Sequence, residues 1–232
     1  MNAVVDDKEI GRLIIRTHPR ARKIVFRTKS DAVYVSVPPG ISLKEINRAV
    51  EELRGRLVIA RRQISRPSID LDYKIDTYFF QLSLVSGDTD CFFANLKPGY
   101  MEIVCPRETD FANEKLQHWL RKVIEESLKK NARNILPLRL DRLARQNGLS
   151  YGNVRISSSR GRWGSCSANK GINLSCFLLL LPVHLVDYVL LHELCHTREM
   201  NHGDLFWRLL NELTEGKAFS LREELKQYRA EV

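Results

Sequence analysis

The chain has 232 residues, 44% of them hydrophobic and 28% charged, a balance that excludes a low-complexity disordered chain and a bundle of membrane spans. Its 37 Lys and Arg against 28 Asp and Glu give a formal charge of +9, which raises nucleic acid or an acidic partner as a reading to weigh. The basic residues read as short clusters spread along the chain, at 20–23, 54–56 and 61–62, so a solvated basic face is expected and not a basic tail.

The N-terminus, MNAVVDDKEIGR, is charged almost at once and lacks the layout of a secretory signal. The longest apolar run, Cys176 to Leu181, stops at Pro182 and is far too short for a membrane span. Five cysteines, odd in number and without a CxxC pair, read as reduced thiols in a cytoplasmic protein, with no disulfide framework and no thiolate zinc site.

No internal repeat is evident, and the first half reads as β-rich. LIIR, KIVFR and AVYVSVP alternate or run with β-branched and aromatic residues, with a turn expected at Asp31. VPPG at 37–40 ends the last of these, because proline gives the ladder no hydrogen bond. Ser42 and Glu45 then form a capping box for a helix over about Leu43 to Ser65. Further strands are expected in DTYFFQLSLV, CFFANL and YMEIVC. After Pro106 the apolar spacing turns helical, through Leu116, Leu120, Val123, Ile124 and Leu128, with Pro137 expected to end or kink the element and Gly148 to close its continuation. Two short strands, NVRIS and GINLSCFLLL, flank a glycine-rich segment, and Pro182 opens the next helix. Asp204 is expected to cap a last helical stretch, interrupted at Gly216. The change of pattern puts a boundary at 106: a β-rich region with one long helix over 1–106, and a mostly helical region over 107–232.

The segment HELCHTREMNH at 192–202 holds three of the six histidines. On a helix, His192 and His196 lie roughly 6 Å apart along the axis on nearly one face, so both imidazoles can grip one ion. Zinc suits neutral imidazole nitrogens, and a catalytic site takes three protein ligands and keeps one position open. Glu193, about 100° round the helix from His192, sits where a carboxylate can take a proton from a water that the ion has acidified. This is the H-E-x-x-H pattern of zinc metallopeptidases. His202 is the favoured third ligand, which requires a turn in MNHG with Asn201 or Gly203 left-handed; the alternative is a carboxylate, Glu212 or Glu215. Val186, Val189, Leu190, Leu191 and Leu194 surround the motif, so the helix should be buried, where unpaired polar groups are costly. Cys195 is left outside the site as a buried thiol, and His18, His118 and His184 as isolated residues.

At these residues the chain resembles the YgjP-like metallopeptidases, a zincin group. The matching stretches are RWGSCS (162–167), INLSCFLLLLP (172–182), DYVLLHELCH (187–196) and MNHGDLFW (200–207), with RARKIVFR and VSVPPGISLKEI near the N-terminus. The resemblance implies an α+β fold with a minimal zincin-like core of backing helix, small sheet, active-site helix and C-terminal helix. It also implies His192, His196 and His202 as zinc ligands with Glu193 as base, and it brings no substrate with it.

In zincins an edge strand above the metal helix pairs with an extended peptide. RWGSCS precedes the helix in the order needed to lie there, which makes Arg162, Trp163 and Gly164 candidate substrate contacts, against a plain hairpin loop with Trp163 on the core. Tyr188, Tyr151 and Arg198 are candidates for stabilising an oxyanion. The reading reached is a cytoplasmic zinc metallopeptidase acting on a peptide or protein substrate, without a membrane partner. The alternatives are a nucleic-acid-associated zincin acting on DNA-bound proteins and a scaffold that binds peptides without cutting them.

Overall fold

The computed structural model describes residues 2–29, 32–64, 67–230 and 232. The chain divides into two compact units, Met1–Pro67 and Ser68–Val232. The turn expected at Asp31 and the helix end expected at Ser65 lie outside the described residues.

In the first unit, strands β1 (Asn2–Asp7), β2 (Gly11–Thr17), β3 (Val25–Thr28) and β4 (Val33–Val37) precede helix α1 (Leu43–Ile64). The sheet order is β1-β2-β4-β3, with β2 and β4 parallel and the outer pairs antiparallel. Period-two alternation turns Leu13, Ile15, Val33, Val35 and Val37 inward, where they share one buried cluster with Ile46, Val50 and Leu57 of α1. The capping box forms: Ser42 N donates to Glu45 Oε2 at 3.0 Å, and Glu45 N to Ser42 Oγ at 3.3 Å.

The second unit opens with the same plan. Strands β5 (Ile75–Asp76), β6 (Gln81–Gly87), β7 (Phe93–Lys97) and β8 (Tyr100–Pro106) form a sheet of order β5-β6-β8-β7, and helix α2 (Glu114–Gln146) follows. β6 and β8 are parallel and the outer pairs antiparallel, as in the first unit. The chain therefore carries one β4α arrangement twice, a repeat that residue identities do not reveal because only the alternation and the proline after the fourth strand (Pro38, Pro106) recur. The change of sequence pattern near residue 106 falls inside this unit. Leu82, Leu84, Met101, Ile103 and Cys105 of the sheet join Leu120, Ile124 and Leu128 of α2 in one core.

α2 runs unbroken through Pro137, where an end or kink was expected. Proline removes one helix hydrogen bond, but Leu136 and Leu140 beside it are fully buried, and tertiary packing holds the helix together. The helix ends in a Schellman motif: Leu149 N donates to Ala144 O (2.9 Å), and Gly148 takes a φ of +58°.

Strands β9 (Val154–Ser157), β10 (Gly164–Cys166) and β11 (Ile172–Ser175) then form a small sheet of order β10-β11-β9, leaving β10 at an edge. A 3-10 turn (Cys176–Leu180) leads into α3 (Val183–Cys195), α4 (Asp204–Leu213) and α5 (Ala218–Leu225). The last two are separated at Gly216 (φ +81°), as expected; Gly203, not Asp204, takes the N-cap of α4. The fold is α+β, with α2, the small sheet, α3 and α4 packed in one core. Arg139 of α2 grips Asp187 of α3 with two nitrogens while its guanidinium lies 5.2 Å from the Phe79 ring centre, so the two helices are clamped together. Among the described residues no helix is long and apolar enough to cross a membrane.

Leu128 lies at the centre of this core with no exposed surface. Leu128→Ala should lower the second unit's stability by about 2–5 kcal/mol, read as a lower urea midpoint with an unchanged slope.

Candidate metal centre

α3 is apolar almost all round, with Leu185, Val186, Leu190 and Leu194 fully buried, and this burial presses its last turn into the protein interior. His192 lies on that turn and His196 is the residue that ends the helix. A cation there meets the negative end of the helix dipole. The chain then reverses over residues 197–203. Thr197 Oγ1 donates to Leu194 O (2.7 Å), Glu199 N to Cys195 O (2.9 Å), and the Arg198 guanidinium to Gly148 O (2.7 Å). Neither Asn201 nor Gly203 adopts the left-handed conformation expected of one of them; these hydrogen bonds suffice to make the reversal.

The turn returns His202 to the helix. One ring nitrogen from each of His192, His196 and His202 lies within 4.8 Å of the other two, and the Nε2 atoms of His192 and His202 are 3.1 Å apart. His196 Nδ1 is 3.0 Å from the Glu199 carbonyl oxygen, to which it can only donate, and this leaves Nε2 as the lone-pair nitrogen. Burial pushes the His192 pKa down to about 3, helped by the charges of His196 and His202, and burial lowers that of His196 as well. Three imidazole nitrogens converging on one point suit a shared divalent cation. Glu212 and Glu215 are exposed and outside the group.

Two features here carried no sequence signal. Phe206, fully buried on α4, lies 4.9, 4.5 and 4.7 Å from the ring centres of His192, His196 and His202, and so forms an apolar floor under all three. Gly164 on edge strand β10 packs against Glu193, and a Cβ added there would lie 2.6 Å from Glu193 Oε1. Glu193 is 5% exposed, and among the described residues no hydrogen-bond donor reaches its carboxylate. Burial pushes its pKa up to about 7, while the charge of Arg162 draws it back.

A sequence profile of the YgjP-like metallopeptidase domain matches residues 22–228. The chain belongs to this family. It is accordingly a peptidase of the metal-dependent class. Among solved structures it is similar to the metallopeptidase zymogens abylysin of Pyrococcus abyssi (24% identity, TM-score 0.35, covering 38% of this chain and 89% of that one) and jannalysin of Methanocaldococcus jannaschii (20%, 0.34, 38% and 90%). No curated protein matches the chain.

The remaining candidates in this YgjP-like metallopeptidase separate by position. Trp163 is partly buried and packs on the core, and its carbonyl accepts from Ser175 N at 2.8 Å. Arg162 is exposed beside it. Trp163 rests on the core, as in the hairpin reading, and the next three residues form the edge strand β10. Tyr188 is buried with its ring 6.1 Å from that of His192; Tyr151 is half-buried, and Arg198 is engaged with Gly148. Cys195 is buried, and its thiol pKa is pushed up to about 12, which makes it an inert apolar filler. All five cysteines are free.

Two outcomes follow from this packing. Gly164→Ala should cost about 1–3 kcal/mol through overpacking, and most of that cost should vanish in a Glu193→Ala background; additive costs in a double-mutant cycle would place the carboxylate away from the strand. In the metal-free protein Glu193 has a folded pKa raised above its unfolded value, so its share of stability is present below about 4.5 and lost as pH rises through about 7. Glu193→Gln should therefore stabilise the metal-free protein at pH 8 by on the order of 2–3 kcal/mol and leave it unchanged near pH 4, measured by urea unfolding.

Proposed function

We propose that the chain is a zinc-dependent peptidase in which His192, His196 and His202 hold the ion and Glu193 is the general base. The observation that carries this reading is the convergence of three imidazole nitrogens beside a buried, unpartnered carboxylate. The donor set is all imidazole nitrogen, which favours zinc over calcium or magnesium. Zinc held there would supply Lewis acidity, acidifying a water and polarising the scissile carbonyl.

The chain's own groups do the rest. Glu193 accepts the proton of the attacking water and returns it to the departing amine nitrogen; a carboxyl group with a pKa drawn toward neutrality suits both directions. Phe206 and the apolar turns of α3 shield His192 and His196 from water, and Phe206 packs against all three rings. An extended peptide adds to the open edge of β10, where Gly164 has no side chain and lets its backbone pass close to Glu193. Arg162, exposed at the start of that edge, can pair with a substrate carboxylate, and Trp163 contributes by anchoring the strand to the core. Five free thiols fit a cytoplasmic setting.

Metal analysis of protein purified without added zinc should find one equivalent in the wild type and in Glu193→Gln, and little in His192→Ala or His202→Ala. Glu193→Gln should lower cleavage of a quenched-fluorescence peptide library by at least about 100-fold. Full metal occupancy in His202→Ala would return the third position to a carboxylate, and cleavage that persists in Glu193→Gln would remove the assigned base.

A further inference from the structure

The charge of +9 is not spread evenly once the two units are known. Residues 1–67 hold 15 Lys and Arg against 7 Asp and Glu, a formal +8, whereas residues 68–232 hold 22 against 21. The excess sits in the unit that lacks His192, His196 and His202. Four of the unit's 15 cations, Arg12, Arg16, Arg27 and Lys29, stand on one face of the sheet, opposite the rows that meet α1. Side chains at paired positions share a face, and the register aligns exposed Val4, half-buried Ile14 and Tyr34, and exposed Arg27 in one row. Arg12 and Arg16 flank Ile14 at the alternate positions of β2, and both are exposed. Lys29 Nζ lies 4.6 Å and Arg16 Cζ 5.8 Å from the Tyr34 ring centre. The one carboxylate in these rows is Asp6, opposite Arg12.

The repeated fold supplies an internal comparison. Matching the strands by their register and by Pro38 with Pro106 sets Arg12, Arg16, Arg27 and Tyr34 against Gln81, Val85, Asn95 and Glu102 of the second sheet. Lys29 has a cationic counterpart, Lys97, and a tyrosine, Tyr100, stands one row away, but the same architecture folds there with none of the three arginines and with Glu102 in place of Tyr34, so the fold does not require the arginines or a ring at that position.

We propose that the outer face of the first unit's sheet binds single-stranded nucleic acid. Arg12, Arg16, Arg27 and Lys29 meet backbone phosphates, and Tyr34 stacks on a base. Arg12 and Arg16 stand about 13 Å apart along β2, and Arg27 lies two strands, or about 10 Å, to one side, which makes a broad flat cationic field and not a groove reader. An aromatic ring at its centre is useful only to a strand whose bases are already unstacked, and a duplex hides those faces. An acidic peptide would satisfy the cations but leave Tyr34 without a role.

The test is fluorescence anisotropy of the full-length chain with single-stranded DNA and RNA of about 15 nucleotides, the matching duplex, and a polyglutamate peptide of equal charge. A single strand, of either sugar, should bind most tightly, with affinity falling steeply as salt rises. The triple variant Arg12→Gln, Arg16→Val, Arg27→Asn places the second sheet's residues at these positions. It should flatten the log–log salt slope by about 2 and weaken binding at least about tenfold, with circular dichroism and thermal midpoint unchanged. The triple change to Lys should keep the slope, which separates loss of charge from loss of fold. Tyr34→Ala should weaken binding roughly tenfold, and Tyr34→Phe should not. Absence of binding at low salt, preference for duplex or polyglutamate, or a slope indifferent to the triple Arg variant would each overturn the proposal. None of these readouts depends on zinc or on Glu193.

Discussion

The second unit is organised around a desolvated cluster of groups that would rather be in water. His192, Glu193 and His196 sit at the end of a mostly apolar helix with exposed His202 brought beside them, and burial is the main cause that moves His192 down and Glu193 up from their ordinary pKa values. Such groups are costly where they stand unless something shared relieves them. Their convergence to within 4.8 Å is what gives that cost a use. Around it the scaffold is rigid: the Arg139–Asp187 clamp, the Phe206 floor and the hydrogen bonds of residues 194–199 leave the rings little freedom.

Rigidity on one side is matched by openness on the other. β10 keeps a free edge, and Gly164 brings that edge against Glu193 with no side chain between them. On the proposed function, a substrate strand on this edge would lie beside the carboxylate without rearrangement, and that would couple binding in an extended conformation to proton transfer. The closeness carries its own constraint, since any side chain at 164 would occupy the carboxylate's place.

The β4α plan serves two ends in one chain. In the second unit its helix, α2, is buried on the sheet side and also clamps α3. In the first unit α1 covers the sheet but carries Arg48, Glu52 and other charged residues on its outward side, where Arg48 and Glu52 pair at 2.9 Å in full exposure and contribute little to stability. With the same backbone plan, the copies differ in helix length, in what the helix packs against and in the side chains of the outward sheet face.

Much of this was legible in the residues. Period-two alternation gave the strands of both sheets, the Ser42–Glu45 box gave the start of α1, and the spacing of His192 and His196 placed two imidazoles and Glu193 on an apolar helix, because local periodicity and hydrogen bonding act over a few residues. β1 was not read as a strand, since Ala3, Val4 and Val5 are half-buried or exposed and show no inward row. Other features depended on residues distant in sequence. Pro137 should have broken α2, and packing against residues far along the chain overrode it. The reversal that returns His202, the Phe206 floor and the Gly164–Glu193 approach each join segments that no local pattern connects. The repeat and the concentration of charge were present in the letters but had no visible border, because a boundary is set by which apolar faces bury together. Sequence alone thus determined two imidazoles and a carboxylate on one helix, and the tertiary structure decided the arrival of His202, the carboxylate's surroundings and which arginines share a sheet face, since those are consequences of packing across long separations.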